Sequence, residues 1–452
     1  MKMLKNLLAA ALLLVVAMNA GGASAVLEPK PADPSFEKFV PLKAPVPKKL
    51  LLKRGDRLAI CGDSITEQKM YSRIMEDYLT MCVPELEVTV RQLGWSGERA
   101  SGFLARMTND CLRFWPTIAT TCYGMNDHEY RPYEERIGLT YRANSRAIVR
   151  AFKDNGVRVV LGSPGCVGKM PHWVKSASGT VPDLNLSLCN LRNIGLWIAQ
   201  EEKVGFADVF WPMYTAAFRA QQLYGTNYAV AGTDGVHPGW AGHTLMAYAF
   251  LKAFGLDGQI GTFTVDLGWQ KIKVSSGHKV LGTWEGEYHI RSSRYPFCGC
   301  VPAPQHEATF PVCATDDLTK DSSVRSAMTL VPFNRDLNRL MLVARHGRYA
   351  RYQVTWGGST KEFTAEQLAS GVNLAEEFPS NPFCEAFSRV DAAVAAKQAF
   401  ETRQIKKILH GPEGKADMET AAAQTERERT RYVAAIQQAF QPVDHTLIIR
   451  PF

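Results

Sequence analysis

Short apolar runs alternate with longer amphipathic stretches between residues 57 and 254. Apolar runs of about four to eight residues predict buried strands, and apolar residues spaced by three and four predict helices. The predicted strands cover residues 57–61, 87–93, 117–123, 157–162 and 205–210. The predicted helices cover residues 71–81, 101–114, 136–155, 185–203 and 240–254. This alternation predicts a parallel sheet with helices on both faces and a site at the carboxyl ends of its strands.

The pattern changes past about residue 257. Alternating apolar and polar positions at 262–266, 270–274, 284–291, 340–344 and 349–356 predict antiparallel strands, and helices are predicted near 385–409 and 418–440. We therefore predict an α/β domain at residues 55–257 and a C-terminal α+β accessory region at residues 258–452. Residues 26–54 are rich in Pro and Lys and lack any period, so we predict an extended lead-in segment.

The first residues are typical of a secretory signal peptide. Lys2 and Lys5 precede an apolar run at 7–20, and Ala23-Ser24-Ala25 provides the small residues that a signal peptidase needs. We predict that residues 1–25 are a signal peptide cleaved after Ala25, which makes the mature chain secreted or periplasmic; an uncleaved N-terminal anchor is the alternative. No later segment is long and apolar enough to span a bilayer, so no stable membrane insertion is expected after cleavage.

Composition and charge narrow the class of partner. The formal charge of +8 is mild, and the basic residues are spread along the chain without a basic patch that carries interleaved aromatics. We therefore do not expect a nucleic acid partner.

Cysteines raise the question of disulfides and metal. The chain has ten of them, and export would permit disulfides. Cys61 and Cys122 lie in predicted strands and are expected to be buried thiols. The best disulfide candidates are Cys298, Cys300, Cys313 and Cys384. A zinc site of Cys298, Cys300, His306 and Cys313 is disfavoured because the spacing matches no standard finger, so we expect no metal.

Four short motifs occupy the positions where the predicted fold places its chemistry. Three follow successive predicted strands and the fourth precedes the last helix of the domain: Cys61-Gly62-Asp63-Ser64, Gly94-Trp95-Ser96-Gly97-Glu98, Gly124-Met125-Asn126-Asp127 and Asp234-Gly235-Val236-His237-Pro238. Taken singly, each motif is more often a turn, a helix cap or a loop. Their order and their placement after strands are what make the set specific.

Together the four motifs resemble the signature blocks of the SGNH (GDSL-type) hydrolase family over about residues 57–254. The resemblance implies a flavodoxin-like, three-layer α/β/α sandwich with a five-stranded parallel sheet. It also implies the roles of catalytic serine for Ser64, histidine for His237 and aspartate for Asp234. The family's oxyanion-hole positions fall on Ser64, Gly97 and Asn126. The second block departs from the usual pattern, because Gln92 and Leu93 stand where an Asn is often found.

Elementary chemistry agrees with these roles. A serine hydroxyl needs a base to take its proton, and an imidazole does so near neutral pH. A carboxylate three residues before His237 is placed to hold its ring in one tautomer. Two backbone N–H groups and the Asn126 amide would stabilise the negative oxygen that develops on the attacked carbonyl. This mechanism requires no cofactor.

Two neighbouring carboxylates and several aromatics need a separate interpretation. Asp63 is expected to anchor the nucleophile turn, and Asp127 to cap the loop after the third strand. The aromatic residues near the motifs either line a substrate cleft or pack in the core: Trp95, Tyr123, Tyr130, Trp173 and Trp240. His128, His172 and His243 are expected to make local hydrogen bonds.

The sequence therefore predicts an exported serine esterase that acts on a small-molecule or carbohydrate ester, with O-acetyl groups of carbohydrate preferred. A lysophospholipase or a broad small-ester esterase is the alternative within the same class. A catalytically inactive glycan-binding protein is disfavoured because every matched catalytic position is filled. The accessory region is either a glycan-binding module or a support for the hydrolase domain. The sequence leaves the oligomeric state open.

Overall fold

A computed structural model describes residues 25–299 and 317–452 of the chain. Residues 1–24 of the predicted signal peptide lie outside the described residues, as do Cys300, His306 and Cys313. Within the described ranges, no helix has the length and apolar character required to cross a membrane.

Five parallel strands form the sheet of the first region, in the order β2-β1-β3-β4-β5. Their bounds are β1 Arg57–Gly62, β2 Thr89–Gly94, β3 Ile118–Cys122, β4 Arg158–Gly162 and β5 Gly205–Ala207. Alternate residues of β1 face two different hydrophobic clusters: Leu58 and Ile60 belong to one, and Ala59 and Cys61 to the other. Both faces of the sheet are therefore covered, which explains why its strands are buried along nearly their whole length.

Helices cover this sheet and complete the predicted three-layer α/β/α sandwich, which the structure confirms. They are α1 Ser64–Glu67, α2 Tyr71–Met81, α3 Ala100–Asp110, α4 Glu135–Asp154, α5 Val181–Glu202, α6 Phe210–Tyr224 and α7 Trp240–Ala253. Short 3₁₀ turns occupy Pro34–Phe36, Pro84–Leu86 and Leu112–Phe114. The segment before β1 buries Phe36 against Trp211 of α6.

The C-terminal region contains two further sheets, in the orders β13-β10-β6-β7 and β12-β11-β14-β9-β8. The strands are β6 Gln259–Asp266, β7 Lys271–Val274, β8 His278–Trp284, β9 Glu287–Ser292, β10 Arg339–Arg345, β11 Arg351–Trp356, β12 Ser359–Thr364, β13 Val372–Asn373 and β14 Val443–Pro451. The helices are α8 Val324–Leu330, α9 Phe333–Leu337, α10 Ala365–Ser370, α11 Leu374–Glu377, α12 Cys384–Arg403, α13 Pro412–Ala416 and α14 Met418–Ala439. A π-helical turn at Gln404–Leu409 continues α12.

Several predicted elements differ from the structure. The strand predicted at 205–210 ends at Ala207, and α6 begins at Phe210. The strand predicted at 284–291 spans a hairpin turn, because β8 ends at Trp284 and β9 begins at Glu287. Strands β6 and β10 lie in segments predicted to form antiparallel strands, but they pair with each other in parallel. Helix α6 and strands β12 and β14 were not predicted.

Cysteines in the described ranges are mostly buried. Cys61 and Cys122 are buried thiols in β1 and β3. The thiol of Cys298 is buried and makes a side-chain hydrogen bond with Cys384; burial, the largest effect, and this bond raise the pKa of Cys298 well above its ordinary value.

Candidate active site

The first motif forms the turn between β1 and α1. Asp63 lies at the helix start, and its buried carboxylate accepts the N–H of Ile65 at 3.0 Å. This bond satisfies a backbone donor of the first helical turn that would otherwise have no partner. Ser64 is therefore the first residue of α1, held at the carboxyl end of β1 and half-buried.

The fourth motif brings an imidazole to this serine across 173 residues of sequence. Nε2 of His237 lies 2.8 Å from Oγ of Ser64, and Nδ1 of His237 lies 2.7 Å from Oδ2 of Asp234. The other carboxylate oxygen of Asp234 accepts the backbone N–H of Val236 at 2.9 Å and that of His237 at 2.8 Å. The structure thus joins Ser64, His237 and Asp234 in one line of hydrogen bonds.

The electrostatics of Asp234 suit an orienting role. Its partial burial opposes ionisation, but hydrogen bonds from the backbone N–H groups of His237 and Val236 and from the His237 ring outweigh burial and lower the pKa of Asp234. An ionised Asp234 only accepts hydrogen bonds, so the proton lies on Nδ1 of His237 and leaves Nε2 to accept from the Ser64 hydroxyl.

A close approach of two loops supports the turn that carries His237. Gly235 has a φ of +85°, and a Cβ there would lie 2.6 Å from the backbone N of Lys169. The carbonyl of Gly235 accepts the N–H of Gly168 at 2.9 Å. Only glycine allows this combination of backbone conformation and contact, and it ties the loop after β4 to the His237 turn.

The second and third motifs lie beside the turn that carries Ser64. The N–H of Trp95 donates to the carbonyl of Gly62 at 3.0 Å, which links the second motif to the end of β1. Gly97 has a φ of +75°, and a Cβ there would meet open space, so the backbone of Gly97 borders a free volume.

Asn126 is fixed in orientation by the second motif and by a tyrosine. Its Nδ2 donates to the carbonyl of Glu98 at 3.0 Å, and its Oδ1 accepts from the Tyr130 hydroxyl at 3.1 Å. An amide NH₂ carries two donors, so one N–H of Asn126 is available beyond the bond to Glu98.

Two buried carboxylates, Asp63 and Asp127, accept backbone hydrogen bonds from the loops of the site. Burial raises the pKa of Asp63 to about 7, and the nearby Asp127 and Glu98 add to the effect, while the hydrogen bond from Ile65 opposes it. Burial likewise raises the pKa of Asp127 to about 6. Asp127 accepts the backbone N–H groups of Ala100 and Gly124, so it caps α3 and the end of β3.

Among the candidate aromatics, Trp173 stands nearest to the catalytic geometry. Its ring centroid lies 5.8 Å from that of His237 at an angle of 31°, and 41% of Trp173 is exposed. The other four are buried or half-buried: Trp95, Tyr123, Tyr130 and Trp240. Trp173 is therefore the aromatic face that a substrate beside His237 can reach.

Of the three histidines expected to make local hydrogen bonds, His128 does so, with the carbonyl of Met125, whereas the partners of His243 are distant in sequence. His243 is buried between Gln68 and Tyr71, and burial lowers its pKa to about 3. Burial lowers the pKa of His128 to about 4. His172 packs edge-on against Trp173.

Three residues that contact these loops were not predicted. Glu67, at the end of α1, accepts the N–H of Ser96 at 2.5 Å. Gln92 donates to the carbonyl of Thr66 at 2.6 Å. Lys406, from the π-helical turn, lies 2.7 Å from Oε1 of Glu67. The departure from the family pattern at Gln92 was a local signal, whereas Lys406 had none because it is 339 residues away from Glu67.

Comparisons of sequence concern the first domain. Residues 60–245 match the model of the GDSL-like Lipase/Acylhydrolase family. An acetylxylan esterase of Geobacillus stearothermophilus is 26% identical in an alignment of 227 residues that covers 45% of this chain and 95% of that enzyme. The family match falls on the part of the chain that carries the four motifs.

Comparisons of structure extend beyond the first domain. The solved structure of a gut microbial diltiazem-metabolizing enzyme aligns with a TM-score of 0.67 and 19% identity, covering 89% of this chain and 98% of its own. The crystal structure of the Axe2 acetylxylan esterase from Geobacillus stearothermophilus aligns with a TM-score of 0.37 and 23% identity, covering 46% of this chain and 97% of its own. The first alignment shows that the fold of both regions together recurs in another protein.

Proposed function

We propose that the GDSL-like lipase/acylhydrolase domain formed by residues 60–245 hydrolyses esters through an acyl-serine intermediate on Ser64. The hydrogen bonds from Ser64 through His237 to Asp234 are the observation that carries the proposal. They supply the base and its orienting carboxylate, which a serine hydroxyl needs before it can attack a carbonyl.

In the acylation step, Oγ of Ser64 attacks the ester carbonyl carbon while its proton passes to Nε2 of His237. The resulting oxyanion accepts hydrogen bonds from the backbone N–H groups of Ser64 and Gly97 and from the Asn126 amide. Collapse of this intermediate breaks the bond to the alcohol oxygen, which takes the proton from Nε2. Water then attacks the acyl-serine by the same route and releases the acid.

Replacement of the nucleophile tests this mechanism directly. Ser64→Ala is expected to remove nearly all turnover of p-nitrophenyl acetate while the protein stays folded, because no other step can form the acyl intermediate. Ser101→Ala, on the exposed surface of α3, is the matched control. Turnover of Ser64→Ala near that of Ser101→Ala would reject the mechanism, and wild-type protein that binds acetylated glycan without turnover would identify a binding protein instead.

We further propose that the substrate is an O-acetyl ester of a carbohydrate. A similar acetylxylan esterase aligns along 95% of its own length with 45% of this chain. Trp173 offers an exposed ring beside His237 on which a sugar could stack. Acyl-chain length separates this substrate from lipid esters: acetate esters and acetylated xylo-oligosaccharides should turn over faster than decanoate esters or lysophosphatidylcholine. A preference for the long chains would support the lysophospholipase alternative.

Trp173 gives the sugar part of this proposal its own test. Trp173→Ala is expected to raise KM for acetylated xylo-oligosaccharide about 3–10-fold through lost stacking and to leave vinyl acetate turnover near wild type. Trp115→Ala is a suitable control, because Trp115 is 75% exposed and contacts Arg57 at the opposite end of β1 from Ser64. Equal effects of the two variants would argue against stacking on Trp173.

Export remains part of the proposal. N-terminal sequencing of the protein recovered from the periplasm or the culture medium should begin at Val26 if residues 1–25 are removed as a signal peptide. A protein that retains its first residues in a membrane fraction would support the anchor alternative.

A further inference from the structure

Glu67 connects the nucleophile helix to the loop that carries Gly97. It is the last residue of α1, which begins at Ser64, and its Oε2 accepts the N–H of Ser96 at 2.5 Å. Both oxygens of Glu67 are in contact with Lys406, at 2.7 and 2.9 Å from Nζ. The orientation of the Glu67 carboxylate thus depends on a cation from the C-terminal region.

Gln92 makes a second connection of the same kind. It is fully buried at the end of β2, and its Nε2 donates to the carbonyl of Thr66 in α1 at 2.6 Å. Its backbone N–H donates to Glu401 at 3.0 Å, and its Oε1 accepts the Thr402 hydroxyl at 3.2 Å. Both partners on the far side belong to α12.

Trp95, which precedes Ser96, is held by the same stretch of the C-terminal region. Nζ of Lys406 lies 5.2 Å from the Trp95 ring centroid, and the His410 ring packs edge-on at 4.9 Å. His410 is itself fixed by Asp110 at 2.8 Å. The second motif is therefore bordered by Lys406 of the π-helical turn and by His410, the residue that follows this turn.

The helix that supplies these contacts changes its geometry at the point of contact. Thr402 lies in α12, whereas Lys406 lies in the π-helical turn Gln404–Leu409. A π-helical turn is rare and is found frequently at functional sites. The wider turn points Lys406, which lies within it, and His410, which follows it, in directions that a continued α-helix would not give them.

We infer that the C-terminal region positions the catalytic loops, with Lys406 and Glu67 as positioning residues for the Ser96–Gly97 backbone. The inference rests on the proposed function, because the N–H of Gly97 is a proposed oxyanion donor. Displacement of this donor by a fraction of an ångström weakens transition-state stabilisation without altering substrate binding. The C-terminal region is then part of the esterase rather than an independent glycan-binding module.

Substitution at Lys406 separates positioning from general stability. Lys406→Met removes the cation and keeps the side-chain length, and it is expected to lower kcat about 10-fold per active site titrated by acyl-enzyme burst, with KM within about twofold. Lys406→Arg, which keeps the charge, should recover most of the rate. Arg403→Met is the matched control: Arg403 lies three residues earlier and pairs with Glu428 at 2.7 Å on the exposed side.

Hydrogen exchange supplies a readout that does not depend on turnover. The N–H of Ser96 is bonded to Glu67, so the segment 94–99 should exchange faster in Lys406→Met and stay unchanged in Arg403→Met. Wild-type kcat per titrated site in Lys406→Met, or an equal loss in Arg403→Met, would overturn the inference even if Ser64→Ala is inactive. If Ser64→Ala keeps its turnover, the proposed function fails. Unchanged hydrogen exchange at 94–99 in Lys406→Met would separately overturn the positioning role.

Discussion

The carboxylate of Asp234 decides which ring nitrogen of His237 carries the proton. Its Oδ1 accepts two backbone N–H groups, and its Oδ2 faces Nδ1 of His237. Asp234→Asn would keep the first pair of bonds and place an NH₂ group against Nδ1, which moves the ring proton to Nε2. We expect kcat to fall about 10³–10⁴-fold with little loss of stability. Steady-state kinetics and thermal unfolding measure both quantities, and a fall of less than tenfold would contradict this role for Asp234.

Asp63 makes stability depend on pH. Its pKa is about 7 in the folded protein and 3.8 ordinarily, so the folded state binds the proton more tightly than the unfolded chain does. This contribution to stability is complete below about pH 4 and is lost as the pH rises through about 7. Relative to wild type, Asp63→Asn should therefore gain on the order of 4 kcal/mol of unfolding free energy between pH 4 and pH 8.

Urea unfolding at pH 4.5, 6 and 8 measures this difference between Asp63→Asn and wild type. Asp154→Asn is the control, since Asp154 is exposed at the end of α4. Asp127, whose pKa burial raises to about 6, is present in both proteins, so the effect of its own burial is common to them. A difference that is flat with pH would show that Asp63 is ionised in the folded state.

The contact between β2 and α1 decides whether the catalytic loops fit together. A Cβ on Gly94 would lie 2.2 Å from the backbone N of Glu67 and 2.5 Å from the carbonyl carbon of Thr66. No side-chain rotation relieves a clash with backbone, so Gly94→Ala should cost about 1–3 kcal/mol of stability and lower kcat per folded molecule. Gly282→Ala in β8, where a Cβ meets open space, should change neither stability nor kcat in paired denaturation and kinetic assays. Equal losses in the two variants would contradict the importance of the contact at Gly94.

Elements formed by local pattern could be predicted, and those defined by distant packing could not. The strand predicted at 157–162 became β4 (Arg158–Gly162) because turn residues bound its apolar run. The candidate site was predicted from three motifs that follow strands and a fourth that precedes α7. Helix α6 was not predicted because its first apolar residues continue the apolar run of β5. Strand β14 was not predicted because its place between β11 and β9 is set by pairing with strands that are distant in sequence. Glu67 and Lys406 meet only through the fold, so no local period could indicate their contact.

At the scale of the molecule, the C-terminal helices complete an edge of the first sheet. Strand β2 lies at that edge, and unpaired edge groups invite pairing with other chains. Here the carbonyl of Val90 accepts from Lys397 and from Arg429, both at 2.7 Å. These contacts and the bond from Gln92 to Glu401 satisfy backbone groups that a further strand would otherwise pair. The C-terminal helices therefore stabilise the edge of the first sheet, and the two regions should unfold together.

Lys397 is the buried cation that contacts the edge strand β2 at Val90. It is 1% exposed and lies 2.8 Å from Glu401 and 3.1 Å from Glu76. Lys397→Met removes the ammonium partner of Glu76 and leaves Glu401 paired with Arg429. The unpaired buried carboxylate of Glu76 should cost about 3–5 kcal/mol. Lys361→Met, which breaks the exposed pair with Glu377, should cost at most about 1 kcal/mol.

Urea titrations followed by tryptophan fluorescence and by esterase activity test both parts of this prediction. In wild type the two signals should fall at one midpoint, because the first domain cannot keep its edge once the C-terminal helices leave. In Lys397→Met the common midpoint should move to lower urea. If activity survives after the C-terminal helices have unfolded, or if the two lysine variants lose equal stability, then the edge of β2 does not need its side-chain partners and the regions are independent.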